Sequence, residues 1–235
     1  MSSFSSTYSA VLSHPAFSVA ITVLFYAASL RLHRRWRAIP PVVSACVPIV
    51  VLLLLAREPY EAYNRGGSLM TWFLGPATAA LAVPMFRQDK GLKQALPRLS
   101  AIVFVGSVVG MVTAGLTAWL LGAPPAVVWS TVSKSVTTPI AIEVSRELHG
   151  IPQITIALVI AAGVLGASIG SPLLRMVGIR NDQAIGAAMG TASHGIGTAS
   201  LVRRSDVQAS VSSWAMAAAG VFTSLLAAGI ALFLR

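Results

Sequence analysis

The residues with the clearest chemical potential lie close together inside an apolar part of the sequence. Lys134 is followed by the hydroxyls of Ser135, Thr137 and Thr138 and then by Pro139. A charged side chain in lipid costs about 2.5–3.5 kcal/mol on insertion scales, so Lys134 marks a bundle interior, a water-filled cavity or a substrate path. With Thr138 as N-cap and Pro139 as the first helical residue, a half-helix begins here, and its free N–H groups favour a carboxylate or phosphate. We predict an anion-binding site; the alternative is a simple kink, with Lys134 reaching the membrane interface.

A second polar segment, residues 190–200, contains three glycines around one histidine. Non-helical backbone at membrane depth is tolerated only where it is buried in protein or lines a cavity. We therefore predict an interrupted helix near His194, with Thr191, Ser193 and Thr198 contributing to the substrate site. His194 is the candidate for proton coupling, because imidazole changes charge near physiological pH. The alternative is an interior histidine that ties two helices together.

A third candidate is the run Leu74-Gly75-Pro76-Ala77-Thr78, which interrupts an apolar segment. Proline inside a helix costs on the order of 3 kcal/mol, so a break is expected. Gly75, Pro76 and Thr78 are predicted to supply a matching half-helix to the substrate site. The alternative is a proline kink.

Glu143 lies nine residues after Lys134, and a helix break between them leaves it able to pair with Lys134 or to relay a proton. The alternative is a solvated helix end, where Arg146 and Glu147 are its i,i+3 and i,i+4 neighbours. The four histidines lie far apart, and no paired carboxylates occur at ligand spacing. We predict no metal, no cofactor, no catalytic residue and no enzymatic activity.

The elements that position these residues follow from composition. With 55% hydrophobic and only 10% charged residues, the chain is an integral membrane protein rather than a soluble domain, in which about a quarter of residues are charged. At about 20 residues per span, the 235 residues hold seven or eight helices. The predicted fold is all-α and polytopic. The net charge of +10 is clustered between apolar runs, which indicates the positive-inside pattern and not a nucleic-acid partner. The one cysteine, Cys46, excludes disulfides within the chain.

The apolar runs give the order of the segments. We predict no cleaved signal peptide, and the basic residues 31–37 and 87–98 are expected to be cytoplasmic loops, which puts the N-terminus outside. Gly163, Gly166 and Gly170 predict a close-packing face on the sixth segment. The fifth and seventh segments are the candidates for re-entrant helices. The predicted segments are 16–30, 38–56, 66–86, a fourth and fifth that divide at 122–125, 150–174, 183–202 and 207–234.

Internal similarity suggests two halves of one transmembrane domain over 1–235. Residues 75–78 and 190–193 share the pattern G-x-A-[ST] at an offset of 115 residues, and the same offset brings the fourth segment onto the eighth. The predicted repeats are 11–121 and 126–235, related either by inversion or in parallel. Interrupted segments in corresponding positions of two halves indicate a transporter's binding site.

The three polar runs, together with their order and spacing, resemble the LrgB/CidB family over nearly the whole chain. The matching runs are LGPATAALAVP at 74–84, KSVTTPIA at 134–141 and MGTASHGIGTA at 189–199. The resemblance implies a bacterial plasma-membrane protein that acts in the lipid bilayer with a smaller LrgA/CidA-type membrane partner. We also predict a homo-oligomer. The resemblance also implies one of two activities. Some members are described as holin- or antiholin-like regulators of murein hydrolase export and lysis, and others as carriers of glycolate, glycerate, pyruvate or short hydroxy acids. We predict a small-monocarboxylate carrier, with the antiholin-like regulator as the alternative.

Overall fold

The structure is a computed structural model that describes residues 14–36, 41–57, 59–73, 76, 79–80, 90–202 and 204–234. All regular secondary structure in these residues is helical, which confirms the all-α prediction. The chain divides into two compact units, Met1–Ala80 and Leu81–Arg235.

The first unit contains three described helices: α1 (Pro15–Arg35), α2 (Pro41–Ala56) and α3 (Tyr60–Thr71). Helix α1 packs on both α2 and α3. The closest approach is at Gly66, where a Cβ would collide with the backbone carbonyl of Pro15. Nearby, the hydroxyls of Thr22 and Tyr63 lie 2.6 Å apart and form a hydrogen bond. Small residues and one polar contact thus join α1 to α3.

The second unit begins with the long helix α4 (Lys90–Leu120). It continues with α5 (Pro125–Thr131), α6 (Thr138–Glu147) and α7 (Pro152–Leu165), then a π-helical turn (Gly166–Gly170) that leads into α8 (Ser171–Met176). The last two helices are α9 (Asp182–Leu201) and α10 (Asp206–Leu234), which form the most extensive pair among the described helices. Helix α10 also packs on α4 and α6, so it is the central element of this unit.

Membrane-spanning character is clear in four stretches of the described chain. Each is apolar and at least 21 residues long, which suits a hydrocarbon core of about 30 Å. The stretches are Pro15–Arg35, Gln94–Leu120, Pro152–Met176 and Asp206–Leu234, and Pro41–Ala56 is a shorter apolar helix. The prediction of a helical membrane protein is therefore confirmed.

The basic segment 87–98 was predicted as a loop, and this is wrong from Lys90 onward, where the chain is already helical. Leu, Lys, Gln and Arg are all good helix formers, and the helix continues through Pro97, which lies inside it. Arg98 consequently lies on a helix that continues into an apolar span. The predicted division after this span is confirmed, because α4 ends at Leu120 and Gly122 adopts a positive φ of 76° before α5 begins.

The break around Lys134 is confirmed, since α5 ends at Thr131 and α6 begins at Thr138. The predicted N-cap is wrong by one residue. Thr137, with φ −65° and ψ 148°, is the N-cap, and no side chain caps the helix. Proline is tolerated throughout a first helical turn, because those N–H groups have no intrahelical acceptor, so Pro139 does not fix the start to one residue.

The predicted interruption near His194 is also confirmed. His194 has φ 41° and ψ −138°, a strained conformation inside α9 that separates two helical parts. The glycine face of the sixth segment packs against this region. A Cβ at Gly163 would lie 2.8 Å from the His194 ring, and one at Gly166 would collide with Ser193. The close-packing role predicted for these glycines is confirmed, whereas the π-helical turn at Gly166–Gly170 was not predicted.

Candidate functional site

The second unit contains a cavity of about 930 Å³ between α4 and α9, with Lys134 and Ser135 also in its lining. Residues from successive turns of helix α4 line one wall of the cavity, because residues three and four apart lie on the same side of a helix. Gly106 and Gly110 widen this face. The full lining consists of Gln94, Ala95, Arg98, Leu99, Ile102, Gly106, Gly110, Lys134, Ser135, Ile179, Asn181, Gln183, Ala184, Ala187, Ala188, Thr191 and Ala192.

The cavity is built for negative charge. Arg98 and Lys134 contribute two cations, and no acidic residue is among the described residues that line it. Lys134 is half-buried, and its Nζ donates to Ser135 Oγ at 3.3 Å. An ammonium has three N–H donors, so this bond leaves capacity for a carboxylate. Ser135 Oγ lies 3.9 Å from the position that a Cβ on Gly110 would take. Lys134 and Ser135 therefore lie beside Gly110 on α4.

The start of α9 is held by its own cap and by a clamp to α10. Asn181 Oδ1 accepts hydrogen bonds from the backbone N–H groups of Gln183 and Ala184 at 2.9 and 3.1 Å. Asp182 accepts from Gln208 Nε2 at 2.7 Å and from Ser205 Oγ at 2.8 Å. The Gln208 and Ser205 hydrogen bonds stabilise the ionised carboxylate and lower the pKa of Asp182 below its ordinary value. This fixed helix end positions Asn181 and Gln183 on the cavity wall.

Of the predicted site residues, Lys134, Ser135 and Thr191 lie together on this cavity. Thr191 Oγ1 also donates to the carbonyl of Ala187 at 2.7 Å, a bond within its own helix. Thr137, Thr138 and Pro139 are at the start of α6 and are not part of the cavity lining.

His194 and its neighbours lie in the interior between helices. His194 is 4% exposed, and its Nε2 makes a 2.9 Å hydrogen bond with the carbonyl of Val159 on α7. Thr198 Oγ1 bonds to the carbonyl of His194 at 2.7 Å and to Ser212 Oγ on α10 at 2.8 Å. Ser193, His194 and Thr198 are therefore separated from the cavity lining, and the histidine ties α9 to α7.

The remaining predicted residues are placed elsewhere. Glu143 forms a 2.7 Å ion pair with Arg146, and both side chains are more than half exposed, so its partner is Arg146 and not Lys134. Pro76 is exposed and belongs to the first unit. Gly75 and Thr78 lie outside the described residues.

Comparison with known proteins identifies the family to which this chain belongs. The model of the LrgB-like family matches residues 22–233. The chain belongs to the LrgB-like family. Similar relatives include the uncharacterized protein YwbG of Bacillus subtilis, 36% identical over 88% of this chain and 92% of its own. An uncharacterized protein of Haemophilus influenzae is 32% identical over 88% of this chain and 90% of its own.

Some of the related proteins carry a functional name. The antiholin-like protein LrgB of Bacillus mycoides is 31% identical over 89% of this LrgB-like chain and 92% of its own. No solved structure matches the chain. The resemblance seen in the three polar runs is thus confirmed at the level of the family.

Sequence reasoning missed four polar residues of the cavity: Gln94, Arg98, Asn181 and Gln183. Arg98 was interpreted only as one of the basic residues of a loop. It directly precedes an uncharged run that is long enough for a membrane helix, and this position indicates a residue at the start of that helix. Asn181 precedes an Asp-Gln pair and an apolar run, which is a helix N-terminus signal. Neither signal shows that both residues line one cavity, because that depends on how α4 and α9 pack.

Proposed function

We propose that this chain is a membrane carrier of small organic anions, in the class of glycolate, glycerate, pyruvate and short hydroxy acids. The observation that carries the proposal is the cavity in which Lys134 is half-buried beside Ser135. Arg98 is on the same lining, and the lining residues that the structure describes include no acid. A cation in such a place is costly for a passive scaffold and useful for anion transport. The cavity volume of about 930 Å³ falls in the range of ligand sites.

The interrupted helices support a transporter as well. Lys134 lies between α5 and α6, and α9 is interrupted at His194, three residues after Thr191. Broken helices of this kind line the substrate sites of transporters built from repeats. The offset of 115 residues shifts α4 (Lys90–Leu120) onto 205–235, which contains α10 (Asp206–Leu234). We propose two related halves with seven or eight membrane segments in all, the fifth and seventh being re-entrant.

The setting is proposed with the activity. The carrier lies in the bacterial plasma membrane with its N-terminus outside, because the basic residues 31–37 and 87–98 mark the cytoplasmic side. It works with an LrgA/CidA-type membrane partner and as a homo-oligomer. His194 is the candidate for proton coupling, acting through the helix contact with Val159 rather than through direct contact with the anion.

The test is flux in reconstituted vesicles. Purified protein is placed in liposomes, and uptake of glycolate, lactate and pyruvate is measured for the wild type, Lys134→Ala and Arg146→Ala. Arg146 is the matched control, because it is a cation on α6 that is mostly exposed and paired with Glu143. We expect saturable uptake that Lys134→Ala abolishes and Arg146→Ala preserves. Wild-type rates in Lys134→Ala would remove Lys134 from the site.

The second candidate is an antiholin-like regulator of murein hydrolase export and lysis. The specific observation in its favour is the name of the Bacillus mycoides relative, antiholin-like protein LrgB, and the comparisons support this function more directly than they support a carrier. A regulator needs helix faces for assembly but no selective anion site. Expression in a host and measurement of lysis onset distinguishes the two. A change in lysis timing that Lys134→Ala and His194→Ala both leave unaltered, without carboxylate flux, favours the regulator.

A further inference from the structure

Arg98 and Lys134 line the same cavity at different levels, and their separation is set by α4. Arg98 and Gly110 are twelve residues apart on this helix, which corresponds to about 18 Å of helix rise. Lys134 lies at the Gly110 level, through Ser135. Helical side chains tilt toward the N-terminus of their helix, which for Arg98 is the direction away from Gly110. A carboxylate of two or three carbons therefore cannot contact both cations at once.

Exposure changes along the same axis. Gln94, Arg98 and Asn181 are exposed, whereas Lys134, Ser135 and Thr191 are half-buried. The first group offers a guanidinium and two amides, and the second an ammonium and two hydroxyls. Both groups have donors suited to a carboxylate, and the carboxylate next to them, Asp182, is bonded to Ser205 and Gln208.

We propose that the cavity contains two successive positions for a small organic anion. The outer position, at the exposed mouth of the cavity, is formed by Arg98 with Gln94 and Asn181. The inner position, deeper in the cavity, is formed by Lys134 with Ser135. This rests on the proposed anion-carrier function, and it adds the route by which the anion reaches Lys134. Arg98 is a positioning residue for entry. It raises the local concentration of anions at the mouth, while Lys134 holds the anion inside.

The test measures the sign of the potential in the cavity without requiring transport. Cys46 is the one native cysteine and is exposed, so it is first changed by Cys46→Ala. Reporter cysteines are then introduced by Gln94→Cys for the outer position and Thr191→Cys for the inner one. Each is labelled at low salt with two methanethiosulfonate reagents, the anionic ethylsulfonate and the cationic trimethylammonium. The ratio of the two labelling rates reports the local potential.

For Arg98→Ala we expect the anionic-to-cationic ratio to fall about tenfold at Gln94→Cys, which is one helical turn or about 6 Å away. At Thr191→Cys we expect a fall of about threefold, because Thr191 packs at Gly106, about 12 Å from Arg98 along α4, and a unit charge acts with opposite sign on the two reagents. Arg98→Lys should restore the ratio. Lys134→Ala should lower it at Thr191→Cys and leave it within twofold at Gln94→Cys. Gln153→Cys, an exposed position on α7 outside the cavity, is the control and should not respond.

Two results overturn the proposal. One is an unchanged ratio at both reporters in Arg98→Ala. The other is a fall at Gln94→Cys alone, because Arg98 then does not lie on the route to Lys134. If Thr191→Cys does not fold, Ala188→Cys replaces it, because Ala188 is half-buried in the same lining and lies one turn before Thr191 on α9. In vesicles, Arg98→Ala should raise KM with little change in Vmax. If the labelling ratio falls but no carboxylate flux is measured, the two anion positions are supported and only the proposed carrier function is contradicted.

Discussion

Gly190 is the position where one methyl group should perturb α9 most. A Cβ there would collide with the carbonyl oxygen of Ser212 and would lie 2.9 Å from Ala215 Cβ and 3.0 Å from the backbone nitrogen of Met216. Two of these three contacts are backbone atoms of α10, so relief requires a shift of the whole helix. Overpacking of this kind costs about 1–3 kcal/mol, and Ala returns up to about 1 kcal/mol through its better helix propensity.

We therefore expect Gly190→Ala to lower stability by about 1–2 kcal/mol, which corresponds to a fall in Tm of about 2–8 °C for a chain of this size. Gly229→Ala on α10 is the matched control, because a Cβ there meets nothing within 4 Å. Its Tm should stay the same or rise. Thermal unfolding of both variants in detergent, followed by circular dichroism, measures the difference. A Gly190→Ala protein as stable as Gly229→Ala would refute the close α9–α10 packing.

Three further predictions concern single polar groups. His194→Gly should be more stable than His194→Ala, because both lose the bond to Val159 but only glycine adopts φ 41° without strain; thermal unfolding compares them. Stability should fall below about pH 4, as protonation of the Asp182 carboxylate, whose pKa is lowered in the folded state, removes its contribution; Asp182→Asn should show a smaller fall over this range in acid unfolding scans. Glu143→Gln should change Tm by less than about 3 °C, since its exposed pair with Arg146 contributes at most about 1 kcal/mol, and unchanged flux in vesicles would dismiss a coupling role for Glu143.

Much of the fold could be predicted because lipid constrains the sequence strongly. Apolar runs indicated the four described stretches that are long enough to span a membrane, and the glycines and prolines indicated the breaks at Gly122, Thr137 and His194. The exact start of α6 could not be predicted, because proline is accepted at more than one position of a first turn. The helical start of α4 was missed because positive charge indicates the side of the membrane but not the backbone conformation.

The site was predicted in part for a different reason. A lysine within an apolar run can be recognised from the sequence alone, so Lys134 and its neighbour Ser135 were predicted. Arg98 lies 36 residues earlier, and nothing in the sequence shows that α4 and α9 enclose a common space. Conversely, His194 looked like a substrate contact because of its type, yet its ring faces Val159 across a glycine surface. Tertiary packing decides which polar groups of a broken helix face the cavity.

The central claim is that Lys134 holds a small carboxylate, and ligand-dependent stabilisation of purified protein tests it most directly. Binding at 100 times Kd stabilises a protein by about 2.7 kcal/mol, which corresponds to a rise in Tm of about 5–10 °C. We predict this rise with glycolate, lactate or pyruvate for the wild type and for Arg146→Ala, and none for Lys134→Ala. An equal rise in Lys134→Ala, or no rise in any of the three proteins, would contradict the account.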